Sequence, residues 1–355
     1  MSVGYSINDL LTPVVVIDET VMESNINVAQ QYFNRIGRNF RPHIKTHKIP
    51  ALASLQVAAG AKGINCQKIS EAEVFADAGF TDILITFNML GDARLDRLKA
   101  LNAKVDLQVV ADNGLVVEGL ATRFNENAPL KVLVECDTGS ERNGVQTPEE
   151  AVELAKQIDQ KSGLTFHGLL TYPKPSSEAD VEAFFAKTID LLKREGLECP
   201  VVSHGGSPSL FDSDLVKCAT EHRAGTYIFN DRSMVRAGMC DYEDCAMHVI
   251  ATVVSRPTEN RAVLDAGSKA LTSDLLGFAD HGRMIGYPEA SIAKLSEEHA
   301  VVDLSRSQQK PQIGERVRII PNHTCVVSNM FDKLVFHRDG VVTRIEPVSA
   351  RGQVV

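Results

Sequence analysis

No apolar run in this 355-residue chain approaches the roughly 20 residues that cross a bilayer, so no membrane partner is expected. The opening Met1–Ser6 segment has neither the basic nor the apolar region of a signal peptide, and a cytoplasmic location is the expectation. No basic tail or stripe stands out: Lys and Arg number 37 against 46 Asp and Glu, a formal net charge of -9. That balance argues against nucleic acid as the main partner. The seven cysteines are scattered, odd in number and without a CxxC pair, so they make no disulfide framework and read as reduced thiols. No GxGxxG or GxxxxGK[ST] turn follows any strand candidate, which weakens an open dinucleotide-binding or P-loop sheet.

What is present, from about residue 40 to 231, is an alternation of short β-rich runs with helical patterns. The strand candidates are Phe40–Lys45, Gly63–Gln67, Asp82–Phe87, Val105–Val110, Lys131–Cys136, Thr165–Thr171, Pro200–His204 and Arg223–Phe229. Ser70-Glu71-Ala72-Glu73 reads as a capping box with Gly79 as the stop, and Thr147-Pro148-Glu149-Glu150 as a second box with proline at the first helical position. Behind the second box, Ala151, Leu154, Ala155 and Ile158 have the spacing of one buried helical face. Eight strands with intervening helices fit a (β/α)8 TIM-like barrel of the α/β class.

After about Cys245 the texture changes to short strands separated by Gly, Pro, Asp and Asn turns: Val249–Ser255, Arg261–Asp265, His299–Leu304, Glu315–Ile320, Leu334–His337 and Gly340–Ile345. This predicts a C-terminal all-β domain of about a hundred residues. Val14–Ile17 is a further strand that the β domain can claim, making it discontinuous. The expected boundaries are residues 18–245 for the barrel and 1–17 plus 246–355 for the β domain.

Several stretches carry residue types suited to chemistry. Arg41-Pro42-His43-Ile44-Lys45-Thr46-His47-Lys48 puts a lysine among imidazoles and other cations at a strand end, where barrel enzymes keep their chemistry. Neighbouring cations and partial desolvation hold a Schiff-base lysine deprotonated; a solvated loop charge is the plainer reading. His204-Gly205-Gly206-Ser207-Pro208 ends the penultimate barrel strand, and adjacent glycines let backbone N–H groups approach a phosphate, although a tight turn needs the same residues. The following Glu221–Tyr227 stretch could complete that site with Tyr227. Arg142, Tyr172 and Gln67 stand at other strand ends, each suited to a ligand or to an ordinary structural role. His323 and Cys325, two apart on an expected extended segment, would point the same way and could grip one metal. Imidazole plus thiolate suits zinc, while a core cysteine beside a turn histidine is the alternative. Asp265–Lys269 reads as a hairpin turn.

Taken together and in order, R-P-H-x-K-T-H-K, the D-T-G-x-x-R-x-G turn at 137–144, H-G-G-S-P and the late P-N-H-x-C resemble the D-threonine aldolase and D-serine dehydratase family. The resemblance covers nearly the whole chain. It implies an alanine racemase-like fold, a pyridoxal-phosphate barrel plus a β domain, and a homodimer. It further implies that Lys45 carries the cofactor as a Schiff base, that Gly205, Gly206 and Ser207 hold its phosphate, and that Tyr172 and Arg142 lie near its ring. His323 and Cys325 would bind a divalent metal close by: zinc is favoured by Cys325, with manganese or magnesium as alternatives. His47 or a metal-bound water would be the base, with His43 in support.

The expected substrate is a small D-3-hydroxy amino acid, and the expected reaction is D-threonine cleavage to glycine and acetaldehyde. The alternative is a D-serine or D-threo-3-hydroxyaspartate dehydratase, because in this family cysteine at the position of Cys325 goes with the dehydratases and aspartate with the better-known aldolases. A racemase is a weaker reading, since Tyr287, the only tyrosine after Cys245, lies in no recognisable racemase motif. A non-enzymatic cofactor carrier resembles the barrel alone and would have no β domain.

Overall fold

The computed structural model describes residues 4–355, so Met1–Val3 of the N-terminal segment lie outside the described residues. The chain falls into two compact units. One comprises the segment ending at Val28, Thr46–Ala51 and Thr226–Gly352; the other is Ala29–Lys45, Leu52–Gly225 and Gln353–Val355. Residues 18–28, 46–51 and 226–245, expected in the barrel, group with the β-rich unit, and Gln353–Val355, expected in the β domain, group with the barrel unit. Hydrogen bonds explain the grouping: Ala246 N donates to Phe229 O at 2.7 Å, and the Asn25 and Asn230 amides both donate to Asp244 O.

The β-rich unit opens with β1 (Val14–Asp18). The barrel unit follows with β2 (Asn39–Pro42), β3 (Ile64–Cys66), β4 (Asp82–Ile85), β5 (Asp106–Ala111), β6 (Leu130–Cys136), β7 (Leu164–Thr171), β8 (Val201–His204) and β9 (Glu221–Ala224). These eight strands are parallel in the order β2-β9-β8-β7-β6-β5-β4-β3, and a bridge between His43 and Asn65 closes the ring between β2 and β3. Strands buried on both faces read as continuous apolar runs, as Ile83-Leu84-Ile85 and Val132-Leu133-Val134 do here. Leu84, Val110, Leu133 and Leu170 pack as one buried cluster with Val201 against it; full burial is worth about 1.5–3 kcal/mol for each such side chain. Gly168 lets β7 meet β8: at its φ of +149° an added Cβ would lie 1.9 Å from Val201 O.

Arg41, 2% exposed, is buried with two carboxylates, its Nε donating to Glu221 at 2.8 Å and its Nη1 to Asp82 at 2.6 Å. Burial opposes its charge, but the two acids outweigh burial and hold the guanidinium protonated.

Several of the expected strands are shorter than the sequence indicates, the first and last barrel strands most tellingly. The first stops at Pro42, and Lys45 stands in a 3-10 turn, Ile44–Thr46, not on the strand. His43 Nδ1 accepts the Lys45 N–H at 3.4 Å, which favours the turn over further pairing. The last barrel strand is Glu221–Ala224; Gly225 ends it, and Thr226–Ile228 is a second 3-10 turn.

Among the helices, the Thr147 box forms as expected, with Thr147 Oγ1 accepting from Glu150 N at 3.1 Å and Glu150 accepting from Thr147 N at 3.3 Å. The Ser70 box does not. The helix Ile69–Asp77 starts earlier, Glu71 accepts from Gln67 N and Lys68 N, and Ser70 Oγ donates instead to Val355 O at 2.8 Å.

The β-rich unit continues with β10 (Met247–Thr258), β11 (Arg261–Leu264), β12 (Arg283–Met284), β13 (Ser291–Leu295), β14 (Ala300–Asp303), β15 (Arg316–Ile320), β16 (Lys333–Arg338) and β17 (Val341–Pro347). The path is β13-β14-β11-β10-β1-β16-β17, with β15 beside β10 and β12. β1 lies antiparallel to β10 and parallel to β16, so the N-terminal strand does belong to this sheet. β12, two residues long, and β13, whose register slips between Ile292 and Lys294, carry too little alternation to be seen in the sequence. Asp265–Lys269 is no hairpin turn: Asp265 accepts from Thr252 N and Thr12 Oγ1, and Ser268–Leu271 forms a short helix.

Candidate active site

In the barrel unit the strand ends gather two groups of side chains. The first surrounds Lys45. His43 is buried and uses both ring nitrogens, Nδ1 for Lys45 N and Nε2 for Gln67 Oε1 at 3.1 Å, while Gln67 Nε2 donates to Thr86 O at 2.7 Å. Burial, then the charge of Lys45, pushes the His43 pKa well below that of ordinary imidazole. A neutral imidazole accepting at Nδ1 donates from Nε2, so this chain fixes the turn that presents Lys45. Gln67 thus sits with His43 and not with the glycine loop. Lys45 itself is half-buried.

The second group is the loop after β8. Gly205 has φ of +97°, and an added Cβ there would fall 2.1 Å from the His222 ring. A Cβ on Gly206 would lie 2.9 Å from Tyr172 Cε2. His222 also holds the loop: its Nε2 donates to Gly206 O at 3.2 Å, and burial, then Arg223, lowers its pKa to about 3. Its Nδ1 is buried with no partner. Ser207 Oγ accepts from Gly225 N at 3.2 Å. The Arg142 guanidinium stacks 4.7 Å from the Tyr172 ring centroid, and its Nε donates to Asn143 at 2.9 Å. Gly205, Gly206, Ser207, Tyr172 and Arg142 therefore form one neighbourhood in the barrel unit. Tyr227 is buried in the Thr226–Ile228 turn and belongs to the β-rich unit.

Sequence reasoning missed Glu135 on β6. It is 3% exposed, its Oε2 has no partner, and burial pushes its pKa up to about 7 although Arg223 and Arg142 oppose the rise. The signal was available: a carboxylate near the end of the otherwise apolar run Val132–Cys136 is out of place in a buried strand.

The late pair lies in the β-rich unit, on a turn and not on an extended segment. His323 has extended φ and ψ, but Cys325 is already in the first turn of the helix Thr324–Met330. The fully buried Asp231 makes that turn. Its Oδ2 accepts from Thr324 N and Oγ1 at 3.0 and 3.2 Å, while its Oδ1 accepts from Ser233 N and Met234 N at the start of the helix Arg232–Arg236. Asn322 is tied by its Nδ2 to Asp280 O at 2.7 Å and by its Oδ1 to Arg232.

So held, the His323 ring hydrogen-bonds Cys325, and its Nδ1 meets Asp274 Oδ2 at 2.6 Å. Burial opposes a charge on His323, yet the cysteine and aspartate outweigh it and push its pKa up to about 9. Cys325 Sγ also lies 3.1 Å from Thr46 Oγ1 and 3.8 Å from Thr226 Oγ1. Thr46 follows Lys45 directly in the chain. His47, next again, is fully buried and its Nδ1 accepts from Ile49 N at 3.0 Å. Among the described residues, no group of three or more His, Cys, Asp or Glu side chains is placed to hold a metal. Tyr287 donates its hydroxyl to Glu315.

A closed ring of eight parallel strands in a chain with a separate β-rich unit is the fold of alanine racemase-like proteins, and sequence matching agrees. Residues 17–233 match "Alanine racemase, N-terminal domain", and residues 246–337 match "Putative serine dehydratase domain". A D-threonine aldolase from Arthrobacter sp is 33% identical over 96% of this chain and 93% of its own. The crystal structure of D-threonine aldolase from Filomicrobium marinum superposes with a TM-score of 0.92 at 31% identity, covering 100% of both chains. A cysteine-to-alanine variant of a D-threo-3-hydroxyaspartate dehydratase, solved in a metal-free form, gives 0.87 at 28%, covering 97% of this chain and 99% of that one. The chain belongs to the D-threonine aldolase and D-serine dehydratase family of alanine racemase-like proteins.

Proposed function

We propose that this protein is a pyridoxal-phosphate- and divalent-metal-dependent lyase for D-3-hydroxy amino acids, cleaving D-threonine to glycine and acetaldehyde. The observation that carries the reading is the His323–Cys325 pair, bonded ring to thiol and braced by Asp274, in a chain whose barrel also presents Lys45 from a fixed turn. The aldolase relatives support the choice of reaction.

The residues fit both groups. Gly205 and Gly206 bring the loop backbone hard against His222 and Tyr172, where any Cβ would clash, and adjacent glycines of this kind let backbone N–H groups approach a phosphate. An imidazole nitrogen and a sulfur form a borderline-soft donor set suited to zinc, and two protein donors leave positions for water and substrate. When bound, pyridoxal phosphate supplies an electron sink for negative charge at Cα, and the metal a Lewis acid at the β-hydroxyl.

The chain's own residues do the rest. Lys45 Nζ would hold the cofactor. Gly205, Gly206 and Ser207 would bind its phosphate, Arg142 and Tyr172 would lie near its ring, Gln67 would act through His43, and Tyr227 is kept as a proposed cofactor residue. His47, whose Nδ1 accepts from Ile49 N at 3.0 Å, is the proposed base for the hydroxyl proton as the Cα–Cβ bond breaks.

Cys325 favours a second reading, a D-serine or D-threo-3-hydroxyaspartate dehydratase in which Lys45 Nζ removes the Cα proton and the hydroxyl leaves. The metal-free cysteine variant of the dehydratase relative supports keeping it. Incubating the metal-loaded protein with D-threonine and D-serine separates the two. Glycine with acetaldehyde is expected; a 2-oxo acid with ammonia overturns the aldolase and installs the dehydratase. The reading carries with it a cytoplasmic homodimer, which sedimentation of the pure protein tests for its assembly.

A further inference from the structure

We infer that Asp274 is a positioning residue for the metal site: its carboxylate fixes which nitrogen of His323 carries the proton and which offers its lone pair. The inference rests on the metal reading above and goes beyond it, because Asp274 is not one of the two proposed ligands and no sequence motif pointed to it.

A neutral imidazole has one N–H and one lone pair, and whichever nitrogen meets an acceptor keeps the hydrogen. His323 Nδ1 lies 2.6 Å from Asp274 Oδ2, a distance typical of a short charge-assisted bond. That contact commits Nδ1 to donation and leaves Nε2 as the only nitrogen able to ligate. It also sets the ring plane, since the imidazole can turn about its Cβ–Cγ bond unless its far side is held.

Two carboxylates thus divide the labour at this turn. Asp231 is fully buried and accepts from Thr324, Ser233 and Met234, so it shapes the backbone on which His323 and Cys325 stand. Asp274 lies on a connecting loop, and its side chain is 35% exposed. An ion pair that open to water adds little to stability, so folding alone gives a weak reason for the contact. The loop is nevertheless held to it: Asp274 N donates to Thr272 Oγ1 at 3.1 Å, and Thr272 sits at a φ of +64°. A β-branched residue in the left-handed region is strained, and such strain persists where a geometry is being enforced.

The test is titration of the full-length protein with Co2+, followed by the thiolate-to-cobalt and d–d absorption bands, then Zn2+ in competition with a chelating dye. Four proteins are compared: wild type, Asp274→Asn, Asp274→Ala and Cys325→Ala. Wild type should develop both bands, and Cys325→Ala should lose the thiolate band. Asp274→Ala should bind roughly 10–100-fold more weakly. Asp274→Asn, whose amide oxygen still accepts from Nδ1 but carries no charge, should fall between.

Thermal melting of the metal-free proteins runs alongside. A purely structural Asp274 would lower the melting temperature and leave cobalt affinity and the d–d spectrum unchanged, and that result overturns the inference. If wild type and Cys325→Ala both fail to take up cobalt, the metal reading itself falls, and the inference with it. Should Asp274→Ala not fold, the nearly isosteric Asp274→Asn decides the matter by the same two readouts.

Discussion

The glycine loop of the barrel unit and the His323 turn of the β-rich unit solve opposite electrostatic problems. Around the loop the supporting groups are neutral imidazoles and backbone. His222 is buried with its pKa near 3, and His204 is also held neutral by burial while its Nε2 meets Ser213 Oγ at 3.1 Å. Around His323 the supports are carboxylates, Asp231 and Asp274. Backbone N–H groups at adjacent glycines suit an anion, whereas carboxylates behind an imidazole suit a cation. The lesson is that the sign of what a site can hold is written in its supports as much as in the residues that touch the ligand.

Four substitutions would break or sharpen that contrast. The largest effect is expected at the residue that neither frame replaces. Lys45→Ala should cut turnover roughly a thousandfold or more, and borohydride reduction should no longer attach the cofactor to the chain; a labelled Lys45→Ala protein would refute the assignment. Next, Cys325→Ala should abolish activity that zinc can restore and should lower metal affinity by more than the roughly 10–100-fold expected of an outer-shell loss. Its cofactor spectrum should be unchanged, because the barrel frame is untouched.

A smaller effect is expected from Gly206→Ala, whose new Cβ would press on Tyr172 at 2.9 Å. Crowding of about 1–3 kcal/mol should weaken cofactor binding roughly tenfold, measured by absorbance titration, with Co2+ binding as in wild type.

The last is a pH effect on stability alone, read in the cofactor-free protein and leaving both frames in place. The Glu135 carboxyl has a folded-state pKa of about 7, above its unfolded value. Its contribution to stability is therefore fully present below about pH 4 and is lost as pH rises through 7. Glu135→Gln should remove that loss and gain on the order of 2–3 kcal/mol at pH 8 relative to pH 4, read as a flatter pH dependence of urea midpoints. A wild-type midpoint that does not fall between pH 4 and 8 would contradict it.

The barrel was legible because its strands are apolar on both faces and its helices announce themselves, as Thr147-Pro148-Glu149-Glu150 does. Strand ends were less so. Nothing local to Ile44-Lys45-Thr46 says that the chain turns there; the turn is decided by His43 bonding back to Lys45 N and across to Gln67. The residues proposed to carry the chemistry, Lys45, His323 and Cys325, stand in motifs that follow a fixed order. Their supports do not. Asp231 lies 94 residues before Cys325 and Asp274 lies 51 before it, and only the folded chain brings them to one turn. β12 was invisible for a simpler reason: two residues show no period.

The double duty of Asp231 has a dynamic consequence. One carboxylate caps both the helix Arg232–Arg236 and the helix Thr324–Met330 through its two oxygens, so a rotation of the Asp231 side chain releases both starts together. Local opening should then be a single cooperative event. Amide hydrogens at Met234 and Thr324, 90 residues apart, should exchange with solvent at one common rate. The turn that bears His323 and Cys325 would fluctuate only as fast as a short helix elsewhere in the same unit lets it.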